Sequence, residues 1–500
     1  MALHDQLHRA AARWGDKCAL VCDGRRSTYR ELVAQSEFVA AELQSRGVQI
    51  GDRVVVCLPN STDAITSLYG VWLAGACLVM ADADSTSESL AYRVAHSGAT
   101  AIIVPEARRA QAQVVAAGLA GTPAVVVIDD LARPSDKPQT PSYSASSFDP
   151  DDPAAIIYTS GSVGPPKGVT HSQRSISAVV SSVAEYLRHT PDDVVLCVLE
   201  LAFGYGLLQV LVTFETGGRL VLKRGFGLPF DVVSVIESER VTGLAGVPTL
   251  FALLCELRDI GALDLSSLRY LTNAGAALPP PLSARVRSML PSAKLFLMHG
   301  QTECFRTSYL PPQELDTRPI SVGRGMPGVE LWLEDEHGNV LPNGSQGELV
   351  VRGENVMLGY WNNSEATAQV LASSGYPHQR VLHTRDLFRT DDDGFFYFVS
   401  RTDDIIKVQG KKVAPNEIEN RLAERAEIAQ SRVIGVPHDV LGQAIRAEVV
   451  LRPGCALTES ELRRFLRQGL EPYKVPQTIV FVDELPKSAS GKVLRTFSGN

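Results

Sequence analysis

Short apolar runs alternate along most of this chain with segments whose apolar positions recur at helical spacing. Tyr29-Arg30-Glu31-Leu32-Val33 opens an amphipathic helix towards Leu43. Gly51-Asp52-Arg53 then turns into the uninterrupted run Val54-Val55-Val56-Cys57-Leu58, a buried strand by its pattern. A helix over 64–75, a strand over 77–80, a helix from Glu88 and a strand over 101–104 repeat the theme. Strands separated by helices imply βαβ units in a largely parallel sheet covered on both faces. The alternation resumes with a strand over 194–198, a loop entering a helix over 200–207, a strand over 220–222, a strand and turn over 243–248, and a strand from Arg269 into the corner Ala274-Gly275-Ala276. Ligands of open α/β sheets collect at the carboxyl ends of strands, where these turns would sit.

Beyond Gly323 the texture changes to short strands and hairpin signals, such as Asp335-Glu336-His337-Gly338-Asn339 and Asp391-Asp392-Asp393-Gly394-Phe395. Residues 404–500 form a compact piece of their own, with helices expected over 416–426 and 458–470 and strands over 432–436 and 447–451. The expected fold class is α/β, with a large N-terminal domain of parallel-rich sheets plus a β subdomain over residues 1–402, and a small α+β domain over 403–500. A chain of 500 residues exceeds what one hydrophobic core usually serves, which agrees with two domains.

Composition narrows the class. Apolar residues make up 45% and charged residues 21%, as in an ordinary folded enzyme. A net charge of −8 without a basic run argues against nucleic acid as a partner. Cysteines 18, 22, 57, 77, 197, 255, 304 and 455 show no Cys-x-x-Cys spacing, so reduced thiols are expected rather than a zinc site or a disulfide framework. Neither a signal segment nor a membrane-length apolar run is found, and a cytoplasmic location away from membranes is expected.

The candidate chemistry begins after residues 134–150, a Pro-, Ser- and Asp-rich surface connection by composition. A strand ending at Tyr158 gives way to Thr159-Ser160-Gly161-Ser162-Val163-Gly164-Pro165-Pro166-Lys167-Gly168. Gly161 and Gly164 let the backbone approach an anion, Thr159, Ser160 and Ser162 add hydroxyls, and Lys167 adds a point charge. These features suit a phosphate loop. No Gly-Lys-Ser/Thr closes it and no helix-forming run follows, so it is not a Walker A loop.

With its neighbours, this loop resembles the Tyr-Thr-Ser-Gly-Ser/Thr-x-Gly-x-Pro-Lys-Gly signature of the AMP-forming adenylating superfamily of acyl- and aryl-CoA ligases and stand-alone adenylation enzymes. Gly300-Gln301-Thr302-Glu303, Gly347-Glu348-Leu349 with Gly359-Tyr360-Trp361, the stretch from Asp386 to Pro415, and Pro486-Lys487-Ser488-Ala489-Ser490-Gly491-Lys492 match further motifs in the same order. The resemblance implies ATP and Mg²⁺ as cofactors, with Glu303 on the metal and Thr302 near the α-phosphate. It implies Asp386 and Arg401 at the ribose, and Gly275, Ala276, Ala277 and His299 around adenine. An acid pocket would draw on Phe203, Gly204, Tyr205, Val247, Asn273, Gly300 and Gln301. Lys492 would be the catalytic ammonium on a mobile C-terminal domain, Asp403 the hinge, and Gly410 the backbone lining of a thiol tunnel. Arg385 stands where the family has glycine.

Amino-acid-activating relatives place Asp where this chain has Gly204. A buried α-ammonium without a counter-ion costs several kcal/mol, so a non-amino acid is favoured, although Glu200 lies close in sequence. Phe203-Gly204-Tyr205-Gly206-Leu207 is similar to benzoate-type aryl-CoA ligases, and the bare Gly204 would leave room for a flat ring. Cys304-Phe305-Arg306 followed by Tyr309-Leu310-Pro311-Pro312 instead resembles ligases that charge carrier proteins. The thiol would be coenzyme A or the phosphopantetheine of a separate carrier protein. The alternatives are an amino- or imino-acid adenylating enzyme and, in another class, a non-catalytic adenylate-binding scaffold.

Overall fold

The computed structural model describes residues 3–131, 149–159, 165–257, 263–408, 411–438, 442–486 and 493. Five parallel strands lie in the order Pro153–Thr159, Cys77–Met80, Arg53–Val56, Ala101–Val104 and Ala124–Val127. Lys167–Ser172 and Gly359–Tyr360 extend that sheet antiparallel at the Pro153–Thr159 edge. A second sheet holds six parallel strands in the order Lys294–His299, Tyr270–Asn273, Gly243–Gly246, Val194–Cys197, Arg219–Leu222 and Cys18–Cys22, with antiparallel strands at both ends. The strands expected from the apolar runs are all present. The hairpin Cys18–Cys22 with Arg25–Thr28 was not among those expectations, because its second strand, Arg-Arg-Ser-Thr, carries no apolar signal. The surface connection expected over 134–150 lies almost wholly outside the described residues.

Aromatic residues with polar handles tie the two sheets together. In the helix Thr62–Leu73, ten of twelve residues are buried, as for a helix surrounded by protein rather than laid on a surface. Trp72 in that helix donates its Nε1–H to the Ala154 carbonyl of the first sheet at 2.8 Å. Tyr29, edge-on to Phe214 at 5.6 Å, donates its hydroxyl to Gly218 beside the second sheet at 2.6 Å. Asn60 fastens the carboxyl ends of both sheets: Nδ2 donates to Leu199 and Lys223 at 2.9 Å each, and Oδ1 accepts from Leu201 N at 2.9 Å.

Asp193, just before the strand Val194–Cys197, is a buried charge with a full set of partners. It accepts from Thr190 N at 2.8 Å, Thr242 Oγ1 at 2.7 Å and Arg269 Nη2 at 2.9 Å. Burial pushes its carboxyl up, but hydrogen bonds from Thr242, Thr190 and Arg269 outweigh that and hold it below the usual range. Its contribution to stability is therefore present above about pH 4 and lost as pH falls through its lowered native value. Asp193→Ala removes the acceptor of Thr190 N, Thr242 Oγ1 and the part-exposed Arg269, and a loss of about 1–3 kcal/mol is expected in urea unfolding at pH 7.

Antiparallel strands Val329–Glu334, Gln346–Gly353, Arg380–Thr390, Phe396–Arg401 and Leu371–Ser373 form the expected β subdomain. The Asp391 carboxylate closes one expected hairpin by accepting from Phe395 N at 2.8 Å. After the turn Thr402–Asp404, strands Ile406–Val408, Lys411–Val413, Ile428–His438, Gly442–Leu451 and Thr478–Phe481 make a fourth sheet. Helices Pro415–Ala423 and Glu459–Arg467 pack on a core including Ile418, Leu422, Leu462 and Leu466, none of whose residues belongs to the other cores. Each helix ends three residues before the position expected from its apolar pattern.

Candidate active site

Gly300 follows the strand Lys294–His299, and a Cβ there would fall 2.2 Å from the Phe305 carbonyl and 2.8 Å from Arg306 Cα. Only glycine lets the chain fold back so tightly, and the turn returns as the strand Ser308–Leu310. Phe305, at φ +55°, takes a left-handed conformation to complete the reversal. Thr302 and Glu303 sit on the turn and are clamped from both sides. The Thr302 carbonyl accepts from His171 Nε2 at 2.7 Å, and the Glu303 carbonyl accepts from Met357 N at 2.8 Å. His171 is buried, 4.2 Å from the Phe305 ring; burial, only partly opposed by its bond to Thr302, pulls it down to about 4. The imidazole is thus neutral at pH 7 with its proton on Nε2, because a carbonyl only accepts.

The side chain of Glu303 accepts from the Tyr360 hydroxyl at 2.9 Å. Burial and the neighbouring Glu303 charge push that phenol up, which keeps it a donor. Lys167 Nζ lies 4.9 Å from the Tyr360 ring centroid. Strand pairing brings these groups together: Tyr360 lies opposite Val169, and Trp361 N donates to the Gly168 carbonyl at 2.7 Å. Lys167 and His171 share one strand, which runs antiparallel to Pro153–Thr159, with Thr159 opposite Lys167. That hairpin agrees with the exclusion of a Walker A loop. Ser160, Gly161, Ser162 and Gly164 lie outside the described residues, as do Gly410 and Lys492.

A second cluster adjoins the turn. Asp386, 5% exposed, pairs with Arg401 Nε at 3.3 Å and His299 Nε2 at 3.4 Å, and Gln301 Nε2 lies 3.4 Å from its Oδ2. Gln301, expected in the acid pocket, therefore stands beside the residues expected at the ribose. The His299 ring adjoins this cluster and lies nearly parallel to Phe398 at 6.0 Å. Arg385 adopts φ +57°, the conformation that glycine adopts freely, so this chain keeps the left-handed backbone there with a larger residue. Asp403 lies exposed in the turn Thr402–Asp404.

Val247, Asn273 and His299 leave adjacent parallel strands at one edge, in the register Gly246 beside Asn273 and Asn273 beside Leu297. Gly275 is at φ +84°, Ala276 and Ala277 are exposed, and Asn273 Nδ2 fixes the loop by donating to Ala276 O at 3.0 Å. Phe203 caps the helix Gly204–Glu215, and Tyr205 in its first turn bonds Thr272 Oγ1 at 2.7 Å. The flat space expected over Gly204 is not open. A Cβ there would fall 2.9 Å from two ring carbons of Phe305, so the bare backbone makes room for the protein's own ring. Tyr360, His171 and Phe305 each lay within or beside a quoted motif, yet nothing in their spacing announced these contacts.

The AMP-binding enzyme family model matches residues 7–361, and the AMP-binding enzyme C-terminal domain model matches residues 417–492. The chain belongs to this AMP-forming adenylating family. A 3-[(3aS,4S,7aS)-7a-methyl-1,5-dioxo-octahydro-1H-inden-4-yl]propanoyl:CoA ligase of Rhodococcus jostii is 32% identical, over 98% of this chain and 96% of its own. The ATP-bound structure of MatB from Rhodopseudomonas palustris superposes with a TM-score of 0.89 at 27% identity, over 99% of this chain and 97% of its own. The o-succinylbenzoate CoA synthetase MenE of Bacillus subtilis, in complex with its acyl-adenylate intermediate OSB-AMP, gives 0.86 at 25% identity, over 98% and 97%. No described helix of this family member is long and apolar enough to cross a membrane.

Among the described residues of this AMP-binding enzyme, no group of three metal-ligating side chains gathers. A lone carboxylate such as Glu303, oriented by Tyr360, fits Mg²⁺ that takes its other ligands from phosphate and water. Glu200 faces two acids: partial burial, then Asp82 and Asp84, push its carboxyl up to about 7.

Proposed function

We propose that this enzyme joins a carboxylic acid to ATP as an acyl adenylate, releases pyrophosphate, and passes the acyl group to the thiol of coenzyme A. The observation that carries the reading is the convergence of Lys167, Tyr360 and the Thr302–Glu303 turn beside the Asp386 cluster, from five separate stretches of chain. In the first step a carboxylate oxygen bonds to the α-phosphorus as the bond to the β-bridging oxygen breaks. In the second, the thiol sulfur bonds to the acyl carbon, AMP leaves with the carboxylate oxygen, and the thiol proton goes to solvent.

The first step brings two anions together, so the protein's work is positioning and charge neutralisation. Thr159, Ser160, Gly161, Ser162, Gly164 and Lys167 would hold the β- and γ-phosphates, and Thr302 the α-phosphate. Asp386 would accept the ribose hydroxyls, a task suited to a carboxylate because each oxygen accepts twice. Arg401 and His299 hold that carboxylate in place from opposite sides. Glu303 would bind Mg²⁺, which when present neutralises phosphate charge. Residues 403–500 would form the mobile unit, with Asp403 as hinge, presenting Lys492 to the adenylation step and Gly410 to the thiol.

The acid is proposed to lack an α-ammonium. Gly204 offers no carboxylate to it. A panel of aryl, aliphatic and amino acids, each with ATP, Mg²⁺ and coenzyme A, tests the proposal through pyrophosphate release and mass detection of the thioester. Activity with non-amino acids is the expected result. Activity with amino acids alone would overturn the acid assignment, and no adenylate from any acid would overturn the function.

A further inference from the structure

Arg306 follows Phe305 on the returning limb of the catalytic turn, and only 3% of the residue is exposed. Its guanidinium lies 5.0 Å from the ring centroid of Tyr205, a residue of the proposed acid pocket. The Nε is shielded from solvent and has no hydrogen-bond partner among the described residues. Asp386 and Glu303, whose charges act with that of Arg306 on the neighbouring Cys304, are engaged elsewhere among the described residues: Asp386 with Arg401 and His299, and Glu303 with Tyr360. Two strands away in the same sheet, Asn273 Oδ1 is likewise buried without a partner among the described residues; it follows Thr272, which holds the Tyr205 hydroxyl.

A guanidinium stays charged at every working pH, so burial cannot be relieved by loss of a proton. The Tyr205 face offers it only a quadrupole. A planar, forked cation is satisfied by a carboxylate bound through two parallel N–H···O bonds. A ketone or hydroxyl would supply an acceptor but no charge.

We propose that the acid activated by this enzyme carries a second carboxylate, and that Arg306 is the specificity residue that binds it. The substrate class is then the dicarboxylic acids, one carboxylate reacting with ATP and the other held by Arg306. This deepens the adenylation reading above and rests on it.

The test pairs each dicarboxylic acid, from malonate to adipate and the three benzenedicarboxylates, with the monocarboxylic acid of the same skeleton. Acid-dependent pyrophosphate release gives kcat/KM for each. In the wild type the best dicarboxylate is expected to exceed its monocarboxylate by at least about 100-fold, as for a site whose buried charge is otherwise unpaired. Arg306→Met is expected to bring that ratio below about 10, chiefly through KM for the acid, and Arg306→Lys, which keeps charge but not the fork, to an intermediate ratio. A wild-type ratio near one, or a ratio that neither variant moves, overturns the proposal. Should Arg306→Met fail to fold, the wild-type ratio and Arg306→Lys still decide. Should no acid release pyrophosphate, the adenylation reading fails instead. Calorimetric binding of each mono- and dicarboxylate pair to wild type and Arg306→Lys then decides the role of Arg306, with equal affinity for mono- and dicarboxylates counting against it.

Discussion

Lys492→Ala is expected to slow acid-dependent pyrophosphate release by about 10²–10³-fold, while transfer of the acyl group from preformed acyl adenylate to coenzyme A stays near the wild-type rate. An ammonium delivered to the carboxylate and α-phosphate offsets charge that develops only as the new bond forms. In a site closed to water such a donor contributes roughly 3–4 kcal/mol to the transition state. The second step transfers the acyl group to sulfur and has no use for that ammonium. The two rates are measured separately, by acid-dependent pyrophosphate exchange and by quenched-flow thioester formation from synthetic acyl adenylate. Equal loss in both steps would remove the case for a C-terminal unit that serves them in turn.

Asp386→Ala is expected to raise the KM for ATP by about 30–100-fold, the size of a lost charge-assisted hydrogen bond together with the disorder of its partners. The KM for the acid should change little. Asp386 is 5% exposed and is the shared partner of Arg401 and His299, so a purely structural role is the competing explanation. ATP lacking both ribose hydroxyls separates the two. If Asp386 binds the diol, wild type and variant should use the dideoxy nucleotide almost equally. A variant that remains 30-fold worse with that nucleotide would show that Asp386 only holds the fold.

The apolar runs at Val54–Val56 and Cys77–Met80 are zero to 7% exposed, and a strand buried on both faces has little freedom to be anything else. That is why the parallel core was legible. The hairpin Cys18–Cys22 with Arg25–Thr28 was not, because a polar edge strand takes its structure from its neighbour. At the site, glycine positions were informative where the backbone turns sharply, as at Gly300 and Gly275, and misleading at Gly204, where the vacancy is filled by Phe305. The difference lies in range: a turn is decided by the residues that make it, whereas the occupant of a gap comes from elsewhere in the chain.

Sequence alone determined the α/β class, the order of the adenylating motifs, and the residue types proposed for phosphates, ribose and a metal, since these follow from local periodicity and from side chains with few alternative uses. Tertiary structure alone decided that Tyr360 meets Glu303, that neutral His171 props the Thr302 carbonyl, and that Arg306 is buried against Tyr205 with its Nε unpartnered among the described residues. Those contacts join residues whose pairing depends on how two sheets are set against each other, a geometry fixed by the shared core and by crosslinks such as Asn60, and no local pattern encodes it.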